Sequence, residues 1–187
     1  MKILSKNLKY RGKVLNVAEV EVQVNGRKLR RELFEQEDGV AVVPIDKDGN
    51  VFLIREFFIG AGRQILQLPG GKTSAKTDSE IRQEAQRELR EETGLAAGRL
   101  IKLHYSWAHP WFSSRKIHIF LGLDLKAAPL KSTDAEEVIQ VVKMRLDKAI
   151  KKVSSDFVSD FAAIGYLLLA REKLREMGVI NNEKQSG

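Results

Sequence analysis

The alternation of apolar and polar positions changes period several times along this chain, and each change marks an element. Val20, Val22 and Val24 recur at every second residue, the spacing of a strand with one buried face, and Val14 and Val17 extend the apolar run upstream. Asn25-Gly26 follows, the strongest short hairpin signal, because both positions accept positive φ. Leu29 to Glu35 is therefore predicted to return as the paired strand. Gly39 to Pro44 and Val51 to Arg55 are short β-branched and apolar runs separated by Asp46-Lys47-Asp48-Gly49-Asn50, which reads as a second hairpin. Gly60-Ala61-Gly62 and Pro69-Gly70-Gly71 mark loops on either side of the run from Ile65 to Leu68.

The period then lengthens. Ile81, Ala85 and Leu89 are four apart and predict the buried stripe of a helix; Thr77 and Glu80 form its N-terminal capping box, and Gly94 is placed to end it in a left-handed turn. Strands are predicted again at Leu100 to Trp107, Ile117 to Leu125 and Val138 to Met144. A short helix follows over Leu146 to Val153, and an amphipathic helix runs from near Ser159 to Met177. Asn181 to Gly187 has no apolar residue and is predicted to fray. Strands, a central helix, more strands and a terminal helix predict mixed α/β packing in layers. There is no internal repeat and no low-complexity linker.

Composition narrows the class. A chain of 187 residues, 43% hydrophobic, buries one core and makes one domain with at most an appendage. The absence of cysteine excludes disulfides, thiolate metal sites and a Cys nucleophile, and is compatible with a reducing cytoplasm. The N-terminal residues carry no apolar run of signal-peptide length. Tyr166 to Ala170 is far below the roughly twenty residues that span a bilayer, so a soluble cytoplasmic protein is expected. The net charge of +7 favours polyanions of any kind: nucleic acid, a membrane surface or a small anionic substrate. Lys and Arg are spread along the chain and mixed with acids, and the clusters Arg27 to Arg31 and Lys148 to Lys152 read as solvated surface.

The candidate chemistry lies on the central helix, where Glu84, Glu88, Glu91 and Glu92 are interleaved with arginines. Residues three and four apart share a helix face, so Glu88, Glu91 and Glu92 repel one another by a few tenths of a kcal/mol per pair, about what a divalent cation would relieve. The stretch Arg87-Glu88-Leu89-Arg90-Glu91-Glu92-Thr93-Gly94-Leu95 resembles the second half of the Nudix box at every specified position. The first half departs from that pattern. Ser79 stands where the family places its first Glu, and Gly71, which should open the box, lies two residues too far upstream, leaving Glu80 or Asp78 as substitutes. Gly71-Lys72-Thr73 is not the end of a phosphate-binding P-loop, because Leu66 stands where that motif needs glycine.

The resemblance implies a Nudix fold, an α/β/α sandwich around a mixed sheet, over residues 38–178. It also implies an N-terminal antiparallel β extension over residues 1–37 that forms an exchanged homodimer; residues 179–187 are expected as a flexible tail. Glu88, Glu92 and the carbonyl of Gly70 would hold metal. Glu91 would assist, and Arg87 would brace the carboxylates, pairing with Glu91; Glu84 is expected to be solvated. Oxygen ligands of this kind suit Mg²⁺ or Mn²⁺. In the acidic turn Asp134-Ala135-Glu136-Glu137, Glu137 matches the family's general base by its spacing to the next strand. Because Ala135 takes the place of a neighbouring carboxylate, Glu136 and Asp134 stay open as the base.

Pro110, fifteen residues beyond Leu95, and the segments Val51 to Arg55 and Leu66 to Gly71 resemble the ADP-ribose and nucleoside diphosphate sugar pyrophosphatases within the family. Arg55 would then contact a substrate phosphate or ribose, and Pro110 and Trp111 would border the substrate; His109 to Phe112 either stacks a base or sugar or packs inside. Gln67 in place of Glu, Trp111 in place of a small residue and Arg115 in place of an acidic one depart from that subfamily. The implied activity is metal-dependent hydrolysis of the pyrophosphate linkage of ADP-ribose or a related compound to a nucleoside monophosphate and a sugar phosphate. The alternatives are an RNA-end pyrophosphohydrolase, suggested by the pI near 9.6, and a non-catalytic nucleotide-sensing domain, against which the intact Arg87 to Gly94 segment argues. Base, sugar and choice of metal stay open.

Overall fold

The computed structural model describes residues 2–130, 139–155 and 161–180. Its elements run β1 (Lys2–Arg11), β2 (Asn16–Val24), β3 (Arg27–Glu35), β4 (Asp38–Pro44), β5 (Asn50–Phe58), β6 (Arg63–Gln67), β7 (Gly70–Thr73), α1 (Asp78–Thr93), β8 (Leu95–Trp107), β9 (Lys116–Ala127), β10 (Gln140–Arg145), α2 (Leu146–Ser155) and α3 (Phe161–Glu176).

The first three strands form an antiparallel sheet in the order β1-β2-β3. Asn25 and Gly26 take φ of 49° and 79°, the pair of positive values that the hairpin turn requires. Strand β2 buries Ala18, Val20 and Val22, whereas β1 is exposed at every residue and has no counterpart in the sequence reading.

The central sheet has the order β7-β4-β9-β8, with β4 and β9 parallel and the other pairs antiparallel. Its inner strands β4 and β9 are apolar on both faces, as strands covered on both sides must be. On one face Val40, Val42 and Phe120 pack against Ile81, Ala85 and Leu89 of α1. On the other, Val43 and Leu121 join Leu53 and Leu66 of a second sheet, ordered β10-β5-β6, together with Ala149 of α2 and Leu167 and Leu174 of α3. Full burial of each large side chain contributes about 1.5–3 kcal/mol. This is the expected α/β/α layering around a mixed sheet.

Helix α1 has the predicted ends. The Thr77 hydroxyl accepts the Glu80 N–H at 3.3 Å, and the Glu80 carboxylate accepts the Thr77 N–H at 3.0 Å and the Lys76 N–H at 3.2 Å. Gly94 closes the helix at φ 72°, its N–H donating to the Arg90 carbonyl at 3.0 Å. The expected second hairpin is not formed: β4 pairs with β7 and β9, β5 pairs with β6 and β10, and the two pair with each other only at the Ile45–Val51 bridge, so Asp46 to Asn50 carries the chain from one sheet to the other. Boundaries differ as well. Gly70 to Thr73, read as loop, is strand β7, and β8 starts at Leu95, directly after the helix. Among the described residues no helix is long and apolar enough to cross a membrane.

Candidate active site

Burial of Ile81, Ala85 and Leu89 fixes the rotation of α1 and leaves its glutamates along one flank. Arg87 gathers three of them. Its Nη1 lies 2.5 Å from Glu91 Oε2, and its Nη2 lies 2.5 Å from Glu88 Oε1 and 2.9 Å from Glu84 Oε2. Glu91 and Glu88 are 6% and 12% exposed, and Glu84 is the outer partner at 35%. Glu84 is thus tied to Arg87 as well as partly solvated. Burial opposes the charge on Arg87, but the Glu84 hydrogen bond and the fields of Glu88, Glu84 and Glu91 outweigh it and hold the guanidinium above its ordinary pKa.

Glu92 turns toward the sheet. It is 8% exposed, and its Oε2 accepts the Gly70 N–H at 2.7 Å. The two glycines of Pro69-Gly70-Gly71 make this approach possible. A Cβ on Gly70 would collide with the Val40 carbonyl oxygen and lie 2.9 Å from Ala41 Cα, and one on Gly71 would lie 2.5 Å from Glu88 Cδ. The start of β7 therefore meets Glu88 and Glu92 with main chain alone, where acidic oxygens and backbone groups come together. Among the described residues no three acidic or imidazole side chains form a finished metal cluster, and Glu84, Glu88 and Glu91 share the single positive charge of Arg87, which leaves the flank negative. The donor set itself, carboxylate oxygens beside main chain with no room for a side chain between, fits a hard divalent cation.

Glu92, Gly70 and Gly71 form one wall of a cleft of about 950 Å³ between the central sheet, the second sheet and α3. That volume is of the size that holds cofactor-sized ligands. Glu56 and Gln67 line it from the second sheet, their side chains joined at 3.4 Å, and Tyr166 lines it from α3. Arg115, Ile117 and Ile119 line it from β9 and the turn before it.

The NUDIX domain family model matches residues 35–161. The chain belongs to the Nudix family. This Nudix chain is 31% identical over 173 residues to the ADP-ribose pyrophosphatase of Bacillus subtilis (strain 168), which covers 90% of the chain and 92% of that protein. It is 26% identical over 159 residues to the methanol dehydrogenase activator of Bacillus methanolicus, covering 83% of the chain and 84% of that protein. Among solved structures, an ADP compounds hydrolase superposes with a TM-score of 0.83 at 25% identity, covering 96% of both chains.

Of the residues singled out from the sequence, the Nudix fold brings Arg87, Glu88, Glu91, Glu92 and Gly70 together and sets Arg55, Pro110 and Trp111 apart from them. Arg55 is half-buried on β5, opposite Leu66, and alternation puts it on the face away from Glu56 and Phe58, the β5 residues that line the cleft. Pro110 and Trp111 are exposed in the turn between β8 and β9, Trp111 by 80%, and neither lines the cleft. Phe112 packs against His109 at 5.3 Å and Phe34 at 5.4 Å between ring centroids. Asp134, Glu136 and Glu137 lie outside the described residues. Neither substitute for Ser79 is idle: Asp78 pairs with Arg82 at 3.0 Å and Lys102 at 2.7 Å, and Glu80 caps α1. Glu56 and Tyr166 are cleft residues that the sequence reading missed. The signal for Glu56 was the strand alternation beside Arg55, whereas Tyr166 is hidden in an apolar helix run.

Proposed function

We propose that this protein hydrolyses the pyrophosphate linkage of a nucleoside diphosphate sugar, ADP-ribose or a close relative, to a nucleoside monophosphate and a sugar phosphate. The observation that carries this reading is the buried Glu92 carboxylate, fixed on the Gly70 N–H beside Glu88 in the wall of a cleft large enough for such a molecule. The similarity to an ADP-ribose pyrophosphatase over 90% of the chain supports it.

In this reading Glu88, Glu92 and the Gly70 carbonyl hold Mg²⁺ or Mn²⁺, with Glu91 assisting. Bound there, the cation neutralises charge on the diphosphate. The protein's own part is placement. Arg87 fixes Glu88 and Glu91, and the Gly70 N–H fixes Glu92, so the acidic flank enters the reaction without reorganising. Glu137, or Glu136 beside it, accepts the proton of the attacking water. Residues 1–37 serve as a dimerisation element, which the exposure of Ile3 (67%) and Tyr10 (59%) on β1 supports, and residues 38–178 form the hydrolase domain.

The test is a panel of nucleoside diphosphate sugars, dinucleoside polyphosphates and capped RNA assayed for phosphate-containing products, with Glu92→Gln alongside. Turnover of a nucleotide sugar is expected to fall at least about 10²–10³-fold in the variant at saturating Mg²⁺. Near-normal activity overturns the reading. Preferred cleavage of RNA ends, with binding that weakens steeply as salt rises, moves the substrate to nucleic acid.

A further inference from the structure

Two cations of the cleft lie outside the carboxylate flank, Lys72, which is exposed, and Arg115, which is half-buried. Arg115 stands just before β9, with its guanidinium folded over Gly39, where a Cβ would lie 2.7 Å from Nη2 and 3.3 Å from Nε. Its Nε is fully buried and has no hydrogen-bond partner. Among the described residues no carboxylate lies within ion-pair distance of it; the fields of Tyr166 and then Asp38 favour its charge, and Asp38 accepts the Lys116 N–H at 3.0 Å. Burial accordingly pushes the Arg115 guanidinium below its ordinary pKa. A half-buried guanidinium with no carboxylate partner costs stability, a cost that a bound anion would offset.

Register places this cation relative to the acidic wall. Gly39 pairs with Lys72 on β7, and Ala41, two residues along β4, pairs with Gly70, whose N–H holds Glu92. Two residues along a strand span about 7 Å. Arg115 and the Glu92 wall are therefore two poles of one cleft, separated by a distance that a diphosphate with its outer oxygens bridges. We infer that Arg115 is a substrate-binding residue that grips a phosphoryl oxygen of the diphosphate at the pole away from Glu88 and Glu92, a contact that needs no metal. This rests on the proposed nucleoside diphosphate sugar substrate.

The experiment is isothermal titration of ADP-ribose, ADP and adenosine into the full chain, in EDTA, for wild type, Arg115→Gln and Arg115→Lys, with melting temperatures for each. Arg115→Gln is expected to bind ADP-ribose and ADP about tenfold or more weakly and adenosine unchanged, with Arg115→Lys between the two. Its melting temperature stays level or rises, because a half-buried charge with no carboxylate partner has been removed. Equal affinity for ADP-ribose in wild type and Arg115→Gln overturns the inference. So does an equal loss for adenosine and ADP-ribose with a lowered melting temperature, which marks a structural role, and so does a wild type that binds ADP-ribose only with metal. If the wild type hydrolyses ADP-ribose while the Gln variant binds it equally well, this inference fails alone; a wild type inactive on every nucleotide sugar removes both readings.

Discussion

The carboxylate of Glu88 rests against the main chain of Gly71, where a methyl group would come within 2.5 Å of Cδ and collide with Oε1. Gly71→Ala must therefore push Glu88 aside. A misplacement of about 1 Å in a catalytic group costs on the order of 10²-fold in rate. The expected result is a kcat lowered by about that factor with a small change in melting temperature, because the clash falls on a side chain that can move. Gly70→Ala should do the reverse damage: its clash is with the Val40 and Ala41 main chain, so soluble yield and thermal stability fall. Comparing the two variants by circular dichroism melts and steady-state kinetics checks both statements.

Removing the guanidinium that ties Glu84, Glu88 and Glu91 together leaves three carboxylates on one helix flank with no counter-charge from Arg87. Arg87→Ala is expected to lower stability by about 1–3 kcal/mol, the range for hydrogen bonds to charged groups. Because like charges repel less when screened, added salt should recover part of that loss in urea titrations.

The N-terminal cap separates stability from chemistry. Thr77→Ala removes the acceptor for the Glu80 N–H and is expected to cost about 1 kcal/mol of stability, leaving kcat close to wild type. A kcat loss as large as that of Gly71→Ala would show that the start of α1 takes part in the site.

Asp46 gives a pH dependence unrelated to catalysis. Burial raises its pKa, but Lys143 at 2.8 Å and the Asn50 and Asp48 hydrogen bonds outweigh this and hold it at about 2, against an ordinary 3.8. The folded state thus prefers the charged carboxylate. Its stabilisation is complete above 3.8 and disappears as pH falls through about 2. In thermal melts, Asp46→Asn should be less stable than wild type at neutral pH, and the gap should close across that window.

How far the sequence could be read depended on whether an element leaves a mark in side chains. Thr77, Glu80 and Gly94 make both ends of α1 legible, and the period of Ile81, Ala85 and Leu89 fixes which flank carries the glutamates. Strand β1 is illegible because it buries neither face, so no period-two pattern is selected into it. Strand β7 is illegible for the opposite reason. Its first residues must be glycine to let Val40 and Glu88 approach, and glycine reads as loop. Arg55 and Glu56 are neighbours, and only packing of Leu53 and Leu66 decides which of the two meets the cleft. Arg115 was legible as an unusual residue, but its isolation among buried atoms was not.

The parallel ladder between β4 and β9 has a consequence for how the protein comes into being. It pairs Gly39 with Ile117, and just before it the Lys116 N–H donates to the Asp38 carboxylate 78 residues away; the acidic helix is synthesised between these segments. Helix α1 can form as soon as its own residues exist, since its hydrogen bonds are local. The strand that brings Ile117 and Ile119 to the cleft arrives later and must thread in beside β4. During synthesis the hydrolytic centre therefore cannot be complete until β9 exists, and a nascent chain halted before β9 carries its glutamates without the cleft wall that Ile117 and Ile119 supply.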